Sequence, residues 1–446
     1  MCMHAERKGK EMQLSEELSQ NYTTILKEEL VAAMGCTEPI AIAYAAAKAY
    51  KELGVMPDRI RITCSGNIIK NVKGVTVPNS GGMKGIEAAA VLGVVGGNPD
   101  KMLEVIADAD DEAREKTREL VKAGICDVAL AEDVPNLYIK AEMWNEDHKA
   151  AVTIEEHHTD ITEIEKDGQT VFIAVKSAAH EDDDRPKGDR TKMTLQGIID
   201  YANTVNISEV EDILERQVTC NSAISQEGLD NPWGARVGKT MLENWSDDVK
   251  CCACARAAAG SDARMSGCPM PVIINSGSGN QGITVTMPIV TYAERWHLSK
   301  EKMYRCLLVS NLVSIYIKHY IGSLSAFCGA VSAACGAGAG ITYMSGGSYE
   351  QIGGTITNTL GNVGGIVCDG AKPSCAAKIA SSVHAALLAH YMSTSQKEFR
   401  GGEGFVESDV EQTIKNMGYI GKVGMKETDK EILNVMIDKV DVNSCL

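Results

Sequence analysis

The stretch that decides the fold class is YIGSLSAFCGAVSAACGAGAGITYMSGGSY, residues 320–349. It contains no charged residue, and it is long enough to span a bilayer. Its content, however, is mainly Gly, Ala, Ser and Cys, so membrane insertion would gain little free energy. The stretch therefore predicts a buried helix of small residues that is followed by a Gly-rich loop.

The sequence around this stretch, from residue 191 to the end, is typical of helices that are broken by Gly-rich loops. Three polar segments are predicted as loops, namely SQEGL (225–229), SDARMSG (261–267) and NSGSGNQG (275–282). Small polar loops offer hydroxyls, amides and backbone donors to a small polar substrate, although ordinary capped helix junctions are the alternative for each of them. A nucleotide-phosphate site is poorly supported, because neither GxGxxG after a strand nor GxxxxGK is present.

The N-terminal part has a different pattern, in which helices alternate with β-branched runs. Residues 14–34 predict a helix, and GCTEP begins a second helix with Pro39 in its first turn. A further helix is predicted over 85–93 and a long one over 99–123. The turn signals NED and KDG separate short runs that indicate strands, so an antiparallel meander is expected. The predicted strands are 61–64, 72–77, 137–143, 150–155 and 171–175.

A highly charged run, HEDDDRPKGDR at 180–190, has no large apolar side chain and predicts a linker. The chain is therefore expected to form an α+β domain with a small β-sheet over residues 1–185, which carries GCTEP. A mostly α-helical catalytic domain is expected over residues 191–446.

Charge limits the partners that the chain can have. The 446 residues include 60 acidic and 44 basic residues, which give a net charge of −16. This balance argues against nucleic acid as the main ligand but allows a small anionic substrate. The first residues, MCMHAERKGK, lack the apolar core of a signal peptide, so we expect a cytoplasmic protein.

Fifteen cysteines, an odd number with irregular spacing, indicate reduced thiols rather than a disulfide framework. Four of them lie in Gly-flanked segments that could wrap around an inorganic centre: Cys36 in MGCTEP, Cys328 in SAFCGA, and Cys368 and Cys375 in GGIVCDGAKPSC. Packing thiols are the alternative, and we expect that role for most of the others.

Two other groups look metal-binding at first sight. The CCAC run at 251–254 continues into an Ala-rich segment without a second pair or a nearby His, so packing is expected. The pair His157 and His158 lies in the polar meander and is expected on the surface.

Taken in order, GCTEP, SQEGL, SDARM, NSGSGNQG and CDGxxxSC resemble the UPF0597 family of L-cysteine desulfidases, over residues 20–440. AFCGAVSAACGAGAG and IVCDGAKPSC are more distantly similar to bacterial iron–sulfur L-serine dehydratases, and RITCSGNIIKNVKGVTVPNSGG resembles their small α+β domain. The resemblance implies a [4Fe-4S] cluster with the ligands Cys328, Cys368 and Cys375. It also implicates Cys36, either as a fourth ligand that substrate displaces or as an active-site thiol.

The implied activity is that of a carbon–sulfur lyase, which eliminates sulfide from L-cysteine and yields pyruvate, ammonia and hydrogen sulfide. An open iron would act as a Lewis acid. Arg264 is the candidate for the substrate carboxylate, while Ser276, Ser278 and Asn280 would position the amino group or the developing charge. The base stays open among three candidates, Glu38, Glu227 and Lys378. Since Cys36 lies at a predicted helix N-terminus, a lowered thiol pKa is expected.

Three alternatives remain. An L-serine dehydratase would use the same cofactor, and turnover of serine against cysteine separates the two. A pyridoxal-phosphate enzyme needs a Schiff-base lysine, for which no convincing motif is present. A non-catalytic iron–sulfur redox sensor usually needs an output module, and none is evident. The expected partner is a small amino-acid substrate, with no nucleic acid and no membrane, and a homodimer stays open.

Overall fold

The computed structural model describes residues 14–174, 187–322, 325–437 and 439–440. The predicted domain boundary at residue 185, most of the charged linker 180–190 and the first thirteen residues lie outside these ranges.

The N-terminal part combines helices with a sheet that has six strands in the described residues. The strand order is β3-β2-β4-β5-β6-β7, with β2 and β3 parallel and the other neighbours antiparallel. Its elements are α1 (Glu16–Glu29), β1 (Ala32–Met34), α2 (Thr37–Leu53), β2 (Arg59–Ser65), α3 (Gly66–Val72), α4 (Gly85–Gly96), α5 (Asp111–Ala123), β3 (Cys126–Ala131), β4 (Tyr138–Asn145), β5 (His148–Glu155), β6 (Ile161–Lys166) and β7 (Gln169–Ile173). The predicted α+β class and the antiparallel meander are confirmed.

The sheet buries one face against α2 and α4. In β4 the alternating residues Ile139, Ala141 and Met143 are fully buried, as the period of a strand requires. The two helices can pack closely because their contact residues are small: a Cβ at Gly93 would lie 2.3 Å from the carbonyl oxygen of Ala43. This packing fixes the direction of α2 and hence the position of its N-terminus.

The C-terminal part is a helical assembly in which α12 is central, in contact with α10, α11, α13 and α14. Its elements are α6 (Leu195–Thr204), α7 (Glu211–Asp230), α8 (Val237–Asn244), α9 (Val249–Met265), β8 (Pro271–Ile273), α10 (Gly279–Arg295), α11 (Lys300–Ile321), α12 (Gly329–Met344), α13 (Tyr349–Val363), α14 (Cys375–Thr394), α15 (Val410–Tyr419) and α16 (Lys426–Met436). Residues 330–344 of α12 are all buried, which confirms the predicted buried helix of small residues. None of the helices in the described ranges combines the length and apolar character that a membrane crossing requires.

Two predictions for the N-terminal part are wrong. The predicted strand 72–77 begins at the last residue of α3, and only Thr76 forms a β-bridge, with Lys84. The predicted helix 99–123 is interrupted, because Asn98 and Pro99 begin a short 3-10 helix (Pro99–Glu104) and Asp110 caps a separate α5 by accepting from the Ala113 amide.

Two of the predicted polar loops are instead helical. SQEGL lies at the end of α7 and SDARM at the end of α9. Their small residues let the two helices pack closely. A Cβ at Gly228 would lie 1.9 Å from the carbonyl oxygen of Ala259, and the Ser225 hydroxyl donates to the carbonyl of Arg256. The loop prediction holds only for the first residues of NSGSGNQG, since α10 begins at Gly279.

Helix α16 of the C-terminal part packs against α3 of the N-terminal part, and a buried ion pair links the two helices. The side chain of Lys70 in α3 is 2% exposed, and its Nζ donates to the carboxylate of Asp429 in α16. Lys73 adds a second link by donating to the carbonyl of Met436. The ion pair thus connects the two parts of the chain next to one wall of the cavity described below.

Asp429→Asn should lower the free energy of unfolding by about 3 kcal/mol, because it leaves a buried ammonium without its counter-charge. Glu427→Gln is the matched control on the same helix, since Glu427 and its partner Lys430 are 73% and 58% exposed. This control should leave the midpoint of denaturant unfolding nearly unchanged. Equal effects of the two substitutions would contradict the role given to the buried pair.

Candidate functional site

A cavity of about 400 Å³ lies where the N-terminal sheet layer meets the helical part. Residues from both parts line it, and they include all the sequence-predicted ligands and substrate-binding candidates: Cys36, Glu38, Arg264, Ser276, Ser278, Asn280, Cys328, Cys368 and Cys375. Of the three candidate bases, only Glu38 lines it.

The other two candidate bases have partners elsewhere. Lys378 forms an ion pair with Asp369. Glu227 accepts from the side chains of Asn231 and Trp233, both at 2.9 Å. Neither residue belongs to the cavity wall, so the structure separates them from the remaining candidates.

Two short segments of the helical part hold three of the cysteines close together. The amide of Cys328 donates to the carbonyl of Ile366 (3.1 Å), and that of Cys368 donates to the carbonyl of Ala326 (2.6 Å). These bonds form an antiparallel bridge that places Cys328 beside Cys368. Cys375 is the first residue of α14, and its Sγ accepts from the amide of Lys372 at 3.4 Å.

The turn between the last two cysteines depends on Gly370. Its φ is +92°, in the left-handed region that favours glycine, and a Cβ there would lie 2.6 Å from the carbonyl oxygen of Lys70. The turn therefore packs directly against α3 of the N-terminal part. This contact holds Cys368 and Cys375 at the cavity wall.

Burial favours the protonated form of two of these thiols, Cys328 and Cys375, by raising the pKa of each. Burial, followed by the nearby Cys368 and Cys375, raises the pKa of Cys328 to about 12. Burial also raises the pKa of Cys375. Because neighbouring thiols raise the pKa of both Cys328 and Cys375, ionising these two together requires a compensating positive charge.

Helix N-termini supply part of that positive potential. Cys36 and Cys328 are the N-cap residues of α2 and α12, Ser278 is the N-cap of α10, and α14 begins at Cys375. The side chains of Cys36 and Cys328 make no capping hydrogen bond. Four helix N-termini at one cavity favour anionic ligands.

Glu38 is buried and accepts three hydrogen bonds, from the Cys36 thiol (3.0 Å), the Thr37 hydroxyl (3.1 Å) and the Asn71 side-chain amide (3.0 Å). Burial alone would raise its pKa, but the charge of His158 and the hydrogen bond from Cys36 outweigh that effect, and the pKa of Glu38 is lowered. The carboxylate is therefore charged.

The expectation of a lowered pKa at Cys36 is wrong. Cys36 does lie at the N-terminus of α2, as predicted, but burial and then the charge of Glu38 raise its pKa well above the ordinary value. The thiol consequently donates to Glu38 instead of ionising.

A second group in the cavity consists of polar atoms that are buried without a hydrogen-bond partner among the described residues: Nε of Arg264, Oδ1 of Asn280 and Oε1 of Gln281. Gly279 makes room for the guanidinium, since a Cβ there would lie 2.3 Å from Nε of Arg264. Leaving such groups unpaired costs free energy, so a ligand with both an anionic and a donor group fits this wall.

The two serines of the same loop are tied into the protein. Ser276, at φ +49°, donates to Oδ1 of Asn275 at 3.0 Å, and Ser278 caps α10. They shape the loop beside the unpaired atoms of Arg264 and Asn280.

Sequence reasoning missed several cavity residues. His157 is exposed as expected, but His158 is half-buried with its Nε2 fully buried, so the surface prediction is wrong for it. Lys318 is buried in α11, and burial lowers its pKa to about 8. A single lysine inside the apolar run LVSIYIKHYI was a signal that could have identified Lys318, whereas the polar turn around His158 offered none.

The CCAC run lies in α9 and is consistent with packing. Cys251 and Cys254 are buried, and the Cys252 thiol donates to Asp247 at 3.5 Å. No group of three His, Cys, Asp or Glu side chains in the described ranges is arranged around a single metal ion.

Comparison with known proteins gives the family. The sequence model of the serine dehydratase alpha chain matches residues 88–434. The chain belongs to the serine dehydratase alpha chain family. A UPF0597 protein of Desulfitobacterium hafniense (strain Y51) is 48% identical over 434 residues, which cover 96% of this chain and 99% of that protein. One from Lachnoclostridium phytofermentans is 50% identical over 414 residues, 93% of this chain and 98% of that protein.

The predicted resemblance is thus confirmed, and the serine dehydratase family makes this a lyase-type enzyme. The family match contains the three cysteines of the helical part together with Arg264 and His158. Cys36 and Glu38 precede the matched region.

Glu38→Gln should make Cys36 easier to ionise, because the carboxylate charge is the main influence, after burial, that raises the pKa of this thiol. In iron-free protein at a fixed, mildly alkaline pH, iodoacetamide should label Cys36 several-fold faster in the variant than in the wild type, as read by mass spectrometry of its peptide. Cys64, which is buried in β2, serves as the internal reference and should not change. An unchanged or slower rate at Cys36 would refute this electrostatic account.

Proposed function

We propose that the chain is an iron–sulfur L-cysteine desulfidase, a carbon–sulfur lyase that converts L-cysteine into pyruvate, ammonia and hydrogen sulfide. The observation that carries the proposal is that three cysteines and an unpaired set of Arg264, Asn280 and Gln281 atoms line one buried cavity. The first set suits an inorganic cofactor and the second suits a small amino acid.

Cys328, Cys368 and Cys375 would hold a [4Fe-4S] cluster. The donor set fits, because one buried and two half-buried thiols line the same cavity as helix N-termini and the buried ammonium of Lys318, all of which favour an anionic thiolate cluster. A cubane does not need ligands arranged around one ion, since each cysteine binds a different iron. When bound, such a cluster supplies an open iron that acts as a Lewis acid.

The protein's own groups would orient the substrate. Arg264 offers its guanidinium to the carboxylate, and a bidentate contact would pair the Nε that now lacks a partner. Oδ1 of Asn280 and Oε1 of Gln281 can accept hydrogen bonds from the substrate ammonium. Ser276 and Ser278 maintain the loop that sets the distance between these contacts.

Cys36 has two candidate roles, a fourth ligand that substrate displaces and an acid–base thiol. The Cys36 thiol donates a hydrogen bond to the carboxylate of Glu38 at 3.0 Å. In the acid–base role, Cys36 and Glu38 would share this proton next to the substrate.

L-serine dehydration is the second candidate, and the serine dehydratase family match favours it. The same carboxylate and ammonium contacts would hold serine, and hydroxide would leave instead of sulfide. The contacts to Arg264 and Asn280 cannot distinguish the two substrates, because they involve groups that both amino acids share.

Protein prepared and reconstituted without oxygen should release sulfide and pyruvate in equal amounts from L-cysteine. We expect kcat/KM for L-cysteine to exceed that for L-serine by more than about tenfold, since thiolate is the better leaving group and the better ligand of iron. Parallel assays of sulfide and pyruvate with both amino acids measure this. A preference for serine would establish the second candidate, and no pyruvate from either would reject both.

A further inference from the structure

The turn before α10, residues 275–278, has a backbone shape that its own sequence does not favour. Ser276 and Gly277 have φ values of +49° and +74°. The amide of Asn275 donates to the carbonyl of Ser278 at 3.1 Å, and the amide of Ser278 donates back to the carbonyl of Asn275 at 3.0 Å. Two successive residues with positive φ are typical of a type I′ turn, whose first central residue is usually Asn, Asp or Gly. Since Ser stands there instead, other contacts must stabilise the turn.

The side chain of Asn275 supplies these contacts. It is fully buried, and its Oδ1 accepts hydrogen bonds from the hydroxyls of Ser276 and Ser314, both at 3.0 Å. Its Nδ2 donates to Oδ1 of Asn311 at 3.0 Å and to the carbonyl of the same residue at 3.3 Å. One of these bonds holds Ser276 in its unfavourable conformation, and the others connect the turn to α11.

Gln217 of α7 completes a chain of three amide side chains. The side chains of Gln217 and Asn311 donate to each other, both at 2.9 Å. Gln217, Asn275 and Asn311 are all fully buried. Buried amides cost free energy unless their groups are paired, and a well-paired network favours a single geometry. The network therefore specifies where the turn lies, which apolar side chains of similar size would not do.

The position of the turn decides where α10 begins. Ser278 is the N-cap of this helix, and its hydroxyl accepts from the amide of Gln281 at 3.5 Å. Oδ1 of Asn280 and Oε1 of Gln281 are the unpaired acceptors in the first turn of α10. Arg264 belongs to a different helix, α9. A shift of the turn would thus move the acceptors of the substrate ammonium relative to the guanidinium that faces its carboxylate.

We propose that Ser314 and Asn311 of α11 are positioning residues, which act through Asn275 and determine how tightly the site holds the substrate ammonium. This role rests on the proposed function, in which Asn280 and Gln281 accept hydrogen bonds from that ammonium. The ammonium is present in the bound substrate and in the transition state alike. Loss of the alignment should therefore raise KM much more than it lowers kcat.

The test compares Ser314→Ala with Ser310→Ala in the full chain carrying its iron. Ser310 is a matched control, because it lies one turn earlier in α11, is equally buried and donates one hydrogen bond, to the carbonyl of Val285 at 2.7 Å. Ser314→Ala should raise KM for the better of L-cysteine and L-serine by about fivefold or more, with kcat within about twofold of the wild type. Ser310→Ala should leave both constants within about twofold. Both variants should keep the iron content of the wild type and lose similar stability towards denaturant.

Two competitive inhibitors separate positioning from a general loosening of the cavity. L-Alanine carries the ammonium and the carboxylate, whereas 3-mercaptopropionate carries the carboxylate and a thiol but no ammonium. Ser314→Ala should weaken inhibition by L-alanine by about fivefold and leave that by 3-mercaptopropionate within about twofold.

A KM within twofold of the wild type in Ser314→Ala, equal weakening of the two inhibitors, or the same effects in Ser310→Ala would each overturn the assignment. If the wild type acts on cysteine or serine, these outcomes reject the positioning role alone. A wild type that acts on neither rejects the proposed function, and the role of Ser314 and Asn311 with it.

Discussion

The pairing of β1 with β8 is the interaction on which the site depends. Ala32, Ala33 and Met34 pair with Ile273, Val272 and Pro271. Each of these strands leads directly into one half of the cavity, β1 into the N-terminus of α2 and β8 into the loop before α10. The hydrogen bond from Thr37 to the carbonyl of Gly277, at 3.2 Å, continues the same contact. If the pairing shifted by one residue, the Cys36–Glu38 side and the Arg264 side would no longer face the same space.

Local positive potential in an acidic protein is the second constraint. The chain carries a net charge of −16, yet its cavity collects four helix N-termini together with Arg264 and Lys318. A small anion or an anionic thiolate cluster is stabilised there, while the overall charge disfavours a polyanion such as nucleic acid. The same cavity holds one buried carboxylate, Glu38, whose charge keeps a proton on Cys36 and faces His158.

Much of the site could be predicted because its residues lie in short, chemically unusual segments. Gly or Pro residues in the segments around Cys36, Cys328, Cys368 and Cys375 indicated backbone that wraps closely, and all four thiols do line one cavity. SQEGL and SDARM were predicted as loops because small polar residues are common in loops, but such residues also allow two helices to pack closely. In this chain they let α7 and α9 approach each other, as the contact of Gly228 with Ala259 shows.

His158 could not be predicted, since only the tertiary fold brings its hairpin turn to the cavity, whereas Gln281 belongs to the NSGSGNQG segment that the sequence already indicated. Lys318 differs from His158 in that its apolar surroundings in α11 were visible in the sequence. A charged residue in such a run is costly unless it has a function or a partner, so the pattern marks Lys318 as a site candidate.

The most direct test of the account is the iron content of protein prepared without oxygen, compared between Cys375→Ala and Cys335→Ala. Both thiols belong to the helical part, but Cys335 is buried inside α12 and does not line the cavity. The account predicts about four irons per chain in the wild type and in Cys335→Ala, as a cubane requires, and a large loss of iron in Cys375→Ala. Equal iron content in the two variants, or a fully active wild type without iron, would contradict it.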